Sequence, residues 1–319
     1  MIDIAYLSRG LAALSRAHRA GAMAGHLGAA VLAGYFFAED HPDLDPAVID
    51  AIRREMDRII DGEETVWFNP QAKGITIREL FAPPPEASPA ENVSERIDRA
   101  LQPSLAKLRQ SGHNVIFASL AVRAVRDHPQ TATEWALTGV ERLLHLFDNA
   151  GPGRAYLGKE RGWCSADAVP LDSDDGVSPS DDIDAMVAQL TDRLIVEAAC
   201  RRQGVGGLFH IINHAAGIHE LAMRGYRSTA RKALAAWWTQ LRIWLALPNL
   251  EAELGKLEKA EADPRTAAYW EDARSRNSTQ FSGWLTHRLK TLYGFFSLWP
   301  ALPAEKRPQA LDRFLYLMR

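Results

Sequence analysis

Three histidines, an asparagine and a glutamate share one short apolar segment, "LFHIINHAAGIHELAMRGY" (208–226). Imidazole is the side chain best suited to moving a proton near neutral pH and a common metal ligand. On a helix running from 208 to 224, at about 100° per residue, His210, Asn213, His214, Gly217, Glu220 and Arg224 fall in one sector of about 120°. His219 lies almost opposite His210. His210 and His214, four apart, can address one ion or ligand, the spacing that zinc-binding helices use for a histidine pair. A metal site there needs at least one more ligand, and the segment has neither an H-E-x-x-H pattern nor a second E-x-x-H element. The competing reading is a solvated face. Glu220 and Arg224 at ion-pair spacing favour it. Against it stands Gly217, which costs about 1 kcal/mol relative to Ala in mid-helix unless a close approach compensates.

Two further histidines follow a glycine at the head of an apolar run: His26 in "GHLGAAVLAGYFF" (25–37) and His113 in "GHNVIFASLAVRAV" (112–125). Each alone reads as a core histidine satisfied by one partner. Together they add acid–base capacity suited to phenols and enols. His113 falls in the first turn of its helix, where the dipole favours the neutral ring. Trp237 and Trp244 share a helix face, and Trp270, Trp284, Phe295, Phe296 and Trp299 follow, enough flat surface to line a cleft for a planar ligand or simply to fill a core. These residues put His210, Asn213, Glu220, Trp237 and Trp244 in a substrate-binding role. Glu63 and Glu64 read as solvated acids at the start of a loop. Other templates fail: there is no G-x-S-x-G and no P-loop, "GVGG" (204–207) lacks the strand and acidic partner of a dinucleotide site, and Cys164 has no base paired with it.

The elements that position these residues are helical. Apolar periodicity predicts helices over 4–18, 21–38, 46–60, 92–109, 112–127, 131–147, 181–203, 208–224, 227–246, 249–260, 264–288 and 305–318. The third has Asp45 as N-cap, Pro46 at the first helical position and Gly62 just past the end. Two β-prone runs in "TVWFNPQAKGITIRELF" (65–81) predict one small hairpin. Proline and turn-forming residues make 82–91 and 165–183 long loops. The expectation is an all-α chain, a single multi-helix domain over 1–319 with a central pocket.

Composition narrows the partners. The 319 residues are 47% hydrophobic with a net charge of -3 and scattered basic residues, which supports a large core and excludes a nucleic-acid footprint. Cys164 and Cys200 show no C-x-x-C spacing and read as free thiols in a reducing compartment, so a cytoplasmic location is expected. The charge-free stretch 20–38 is rich in Ala and Gly and carries His26, so it reads as a close-packed buried helix rather than a membrane span. The sequence admits a homo-oligomer.

The three motifs "GHLGAAVLAGY", "GHNVIFASLAVRA" and "FHIINHAAGIHELAMRGY", in this order, resemble the questin oxidase-like proteins, helical oxidoreductases of aromatic polyketide pathways. The likeness covers about half the chain. It implies oxidative cleavage of an anthraquinone-type ring by a Baeyer–Villiger-like oxygen insertion, with His26, His113 and His214 as catalytic residues and NADPH as electron source. Two other classes stay open: a hydrolase or oxygenase with a metal at His210 and His214, and a non-catalytic binder of aromatic small molecules.

Overall fold

Helices form where the apolar period and the end signals agree. The clearest case is α3 (Pro46–Ile60): the Asp45 side chain accepts from Ala47 N at 2.8 Å, Pro46 opens the helix, and Val48, Ile52, Met56, Ile59 and Ile60 are buried. Gly62 follows with a φ of 82°. These are the sequence-predicted ends, each satisfying backbone groups that helix termini leave open. The computed structural model describes residues 2–64, 66–67, 74–172, 175–274 and 283–319.

The order of elements is α1 (Ile4–Arg16), α2 (Gly25–Asp40), α3, α4 (Ile77–Leu80), α5 (Val93–Leu105), α6 (His113–Asp127), α7 (Glu134–His145), β1 (Arg154–Tyr156), β2 (Trp163–Ser165), α8 (Ile183–Glu197), α9 (Leu208–Met223), α10 (Arg227–Ala246), α11 (Glu251–Leu254), α12 (Ala267–Arg274), α13 (Trp284–Leu298) and α14 (Arg307–Phe314). The all-α class is as the periodicity predicts. Among the described residues the only sheet is the antiparallel β1–β2 pair, in which Ala155 faces Cys164. The hairpin expected over 65–81 is not formed by its described part. There Thr76 caps α4, accepting from Glu79 N while the Glu79 carboxylate accepts from Thr76 N at 2.7 Å, so local capping wins over β-propensity. Residue 65 and residues 68–73 lie outside the described residues. The helix expected over 249–260 shrinks to α11. The one expected over 264–288 becomes α12 and the start of α13, with 275–282 outside the described residues.

The chain divides into two compact units: Met1–Leu101, Phe117–Phe147 and Ala262–Tyr293 form unit 1, and Gln102–Ile116, Asp148–Glu261 and Gly294–Arg319 form unit 2. In unit 1, α2 packs on α1 and α3, and α1 also packs on α7. Every residue of α2 from Gly25 to Ala38 is buried, as its small side chains suggested. No helix among the described residues is long and apolar enough to cross a membrane. The α1–α2 crossing is tight because Gly28 brings backbone onto backbone: a Cβ there would lie 2.4 Å from Leu14 N and 2.7 Å from Gly10 O. In unit 2, α9 packs on α8 and α10, and α14 packs on α8. Trp237 of α10 donates its indole N–H to Ile211 O of α9 at 3.0 Å, so the aromatic body fills the core while its polar atom keeps a partner.

Gly28→Ala should therefore cost about 1–3 kcal/mol through overpacking at the crossing. A lower urea midpoint with an unchanged slope would show it. An unchanged midpoint would mean that the two helices can separate freely.

Candidate functional site

Two backbone loops of unit 2 launch histidine-bearing helices, and both adopt left-handed conformations at residues that are not glycine. Ahead of α6, Gln110, Ser111 and Gly112 have φ of 43°, 60° and 86°. Ahead of α9, Val205, Gly206 and Gly207 have φ of 41°, 79° and 77°. Such conformations cost of order 1–3 kcal/mol each at non-glycine residues and persist only when the surroundings hold them. The segment entering β1 holds the backbone N–H groups: Gly151 O accepts from Gln110 N at 2.8 Å, Pro152 O from Ser111 N at 2.9 Å, and Arg154 O from Val205 N at 2.8 Å. Gln240 of α10 holds the carbonyls. Wholly buried, it donates from Nε2 to Ser111 O at 3.0 Å and to Val205 O at 2.8 Å.

This clamp fixes chemistry as well as backbone. With both amide hydrogens of Gln240 spent on carbonyls, its Oε1 is the atom that faces His214 Nδ1, 2.8 Å away. His214 must then carry its proton on Nδ1 and leave a lone pair on Nε2. That Nε2 is buried and has no hydrogen-bond partner among the described residues. Burial lowers the His214 pKa to about 4, the Gln240 bond offsetting part of the shift, so the ring is neutral at pH 7.

His113 and His210 are anchored in the same sense. His113 Nδ1 bonds Gln110 O, and His210 Nδ1 bonds Gly206 O at 2.7 Å. Carbonyls only accept, so both rings hold Nδ1–H. Their Nε2 atoms then meet at 3.0 Å. Two neutral rings in this state present lone pair to lone pair. The contact becomes attractive when one cation, a proton or a metal ion, lies between them. Glycine makes room for the rings themselves: a Cβ on Gly206 would sit 2.3 Å from His210 Cγ, and one on Gly112 would sit 2.5 Å from His214 Nδ1.

The other sequence-predicted residues are placed as follows. Asn213 is buried, with neither amide atom hydrogen-bonded among the described residues, and it lies against Gly294, where a Cβ would meet Asn213 Oδ1 at 2.3 Å. Glu220 pairs with Arg224, as their spacing suggested. Trp237 of α10 is fully buried against α9, and Trp244 lies beneath the Arg202 guanidinium, whose carbon is 5.0 Å from the indole ring centre. His219 faces a pocket of about 100 Å³ with Asp182, Asp184 and Arg227. Within unit 2, then, His210 meets His113, whereas His214 is tied to Gln240. The expected His210–His214 metal pair gains a competitor in His113–His210.

His26 belongs to unit 1. Its Nδ1 bonds Met23 O at 2.8 Å, its ring stacks on Trp67 at 4.0 Å, and His287 stands edge-on at 5.3 Å from both. His287 Nδ1 bonds Gly283 O at 2.6 Å. Glu64, expected to be solvated, is instead wholly buried and accepts from Leu285 N at 2.9 Å and Thr286 N at 3.0 Å, a carboxylate on the N-terminus of α13. Sequence reasoning missed Gln240, Trp67 and His287, and it read Glu64 as solvated where the fold buries it. The flanking "SGH" and "GVGG" were the only local signals that special backbone lay beside His113 and His210.

A nicotinamide cofactor does not fit the glycine run 204–207. The Val205 and Gly206 carbonyls are taken by Gln240 and His210, the Gly206 α-carbon rests against an imidazole, and the run follows loop rather than strand. No family model, curated protein or solved structure matches this chain.

Two outcomes follow. Gln240→Leu leaves Ser111 O, Val205 O and the His214 N–H buried without partners, at about 1–3 kcal/mol each; chemical denaturation should show a loss of about 3 kcal/mol or more, and a near-neutral result would mean that the loops hold themselves. The unfolded chain binds a proton at a histidine near pH 6.5, whereas folded His214 resists protonation until about pH 4. Stability from this ring is therefore complete above pH 6.5 and falls by roughly 3 kcal/mol as pH drops to about 4. Denaturation midpoints across that window should show the slope, and His214→Leu should flatten it.

Proposed function

We propose that this chain is an oxidoreductase acting on a phenolic or hydroquinone-type aromatic, in the manner of the questin oxidase-like proteins, with unit 2 histidines as acid and base. The observation that supports this reading is the His113–His210 pair, two Nε2 atoms 3.0 Å apart with both Nδ1 atoms bonded to carbonyls. Such a pair stores one proton in a charge-assisted hydrogen bond. His113 and His210 lie in the first turns of α6 and α9, where helix dipoles disfavour a cation and favour an anion. The same dipoles stabilise a phenolate nearby. The fixed lone pair of His214 accepts the substrate hydroxyl.

The chemistry balances with dioxygen as oxidant. The phenol O–H breaks and its proton passes to the pair. The ring carbon that bears the second hydroxyl of the hydroquinone then bonds to dioxygen and yields a peroxide, whose outer oxygen takes the proton of that hydroxyl as a carbonyl forms. As the neighbouring ring bond migrates from carbon to oxygen, the O–O bond breaks and hydroxide leaves, taking the stored proton to become water. The ring supplies all four electrons, so no external reductant enters the balance. Exclusion of bulk water keeps the peroxide from being lost.

The test supplies a chemically reduced hydroxyanthraquinone under labelled dioxygen. One labelled oxygen should appear in a ring-opened or ring-expanded product, and His113→Ala, His210→Ala or His214→Ala should slow turnover by about 10²–10⁴-fold. Folded variants that keep the wild-type rate would remove the histidines from the mechanism.

The 3.0 Å separation also favours a second reading. Two Nε2 lone pairs with carbonyl-anchored Nδ1–H groups match the outer-shell arrangement of metal-ligating histidines, with metal–nitrogen distances of about 2.0–2.1 Å. Elemental analysis separates the two. One equivalent of a first-row metal, lost in His113→Ala, would replace the shared proton by an ion.

A further inference from the structure

Helix α13 carries a chemical feature in unit 1 that is independent of the histidine reading. Its first turn is fixed by the Glu64 carboxylate on Leu285 N and Thr286 N, and by Trp67, whose indole N–H donates to Thr286 Oγ1 at 3.1 Å. One turn further on, three residues from His287 and four from Thr286, the same face carries Lys290. Lys290 is 3% exposed and makes no hydrogen bond or ion pair among the described residues.

An ammonium carries three donors, and burying one without an acceptor costs several kcal/mol. Burial accordingly lowers the Lys290 pKa to about 7, while the negative charge of Glu64 holds it up in part. The carboxylate itself is occupied by the two backbone N–H groups, so it offers Lys290 a field rather than a hydrogen bond. A desolvated amine beside a remote negative charge has an available lone pair and nothing to share it with, which is the state in which lysine acts as a nucleophile.

We propose that Lys290 is a nucleophilic site that binds an aldehyde or ketone ligand covalently as an imine. The amine nitrogen adds to the carbonyl carbon, one N–H proton moves to the carbonyl oxygen, and the resulting hydroxyl leaves as water with the second N–H proton. One C=N bond replaces one C=O bond, no electrons are exchanged, and no cofactor is required.

The experiment uses the full chain, benzaldehyde as the probe and cyanoborohydride to reduce the imine, followed by peptide mapping. At pH 7 an amine of pKa near 7 is roughly a thousandfold richer in its neutral form than an ordinary lysine. Lys290 should therefore label at least about tenfold faster than any other lysine, with a rate that levels off just above pH 7. Lys290→Met should lose this fast phase alone. If Lys290 in the folded wild-type chain labels no faster than the other lysines, or labels only after unfolding in urea, the proposal is overturned; neither result depends on a variant folding.

Discussion

Gln240 is the constraint on which the histidine site of unit 2 depends. Its amide makes three hydrogen bonds in a fully buried position, two from nitrogen to carbonyls of left-handed residues and one at oxygen from His214. Among neutral side chains only the primary amides of Asn and Gln offer two donors and an acceptor in one plane, and Gln has the longer reach. A carboxylate would repel the Ser111 and Val205 carbonyls, and an apolar residue would abandon them. The backbone strain at Gln110, Ser111 and Val205 is tolerable because these bonds, and those from the segment entering β1, over-determine it. The strain places His113 and His210 at the heads of their helices with their Nε2 atoms facing one another.

Three imidazoles in unit 2 thus share one protonation pattern, with hydrogen on Nδ1 and the lone pair on Nε2. Their partners differ, and so do their properties. His214 is bound by a neutral amide and buried deeply enough to stay uncharged. His113 and His210 face each other and need a cation between them. A neutral acceptor beside a proton store suits ionisation of a weak acid such as a phenol, because one group positions the hydroxyl and the other takes the charge. The glycines at 112 and 206 are part of the same device, since a side chain at either would occupy the space of an imidazole.

How much of this was legible varies with the range of the interactions. α3 was readable to the residue because Asp45, Pro46 and Gly62 are local signals, and α9 was readable from its period together with the turn of His219 away from His210. The buried character of α2 followed from its small residues. Long-range partners were not readable. Glu64 looks like a loop acid until Leu285 N and Thr286 N, more than 200 residues on, are known to be its partners. Gln240 sits in "AAWWTQLRIW" as one polar residue of a mainly apolar helix, and only folding reveals three hydrogen bonds. The β-propensity of 65–81 points to a hairpin there, whereas the described pair lies at 154–165 beside the strained loops. Helix spacing suggested His214 as the companion of His210, but the His113 loop supplies it.

The central claim is the protonation pattern of the unit 2 histidines, and nitrogen NMR of protein labelled in its imidazole rings reads it directly. The structure predicts His214 as a neutral ring with hydrogen on Nδ1 down to about pH 4, and a through-hydrogen-bond coupling between the Nε2 atoms of His113 and His210. Spectra showing hydrogen on Nε2 of His214, or His113 and His210 titrating as two unrelated rings, would contradict the account.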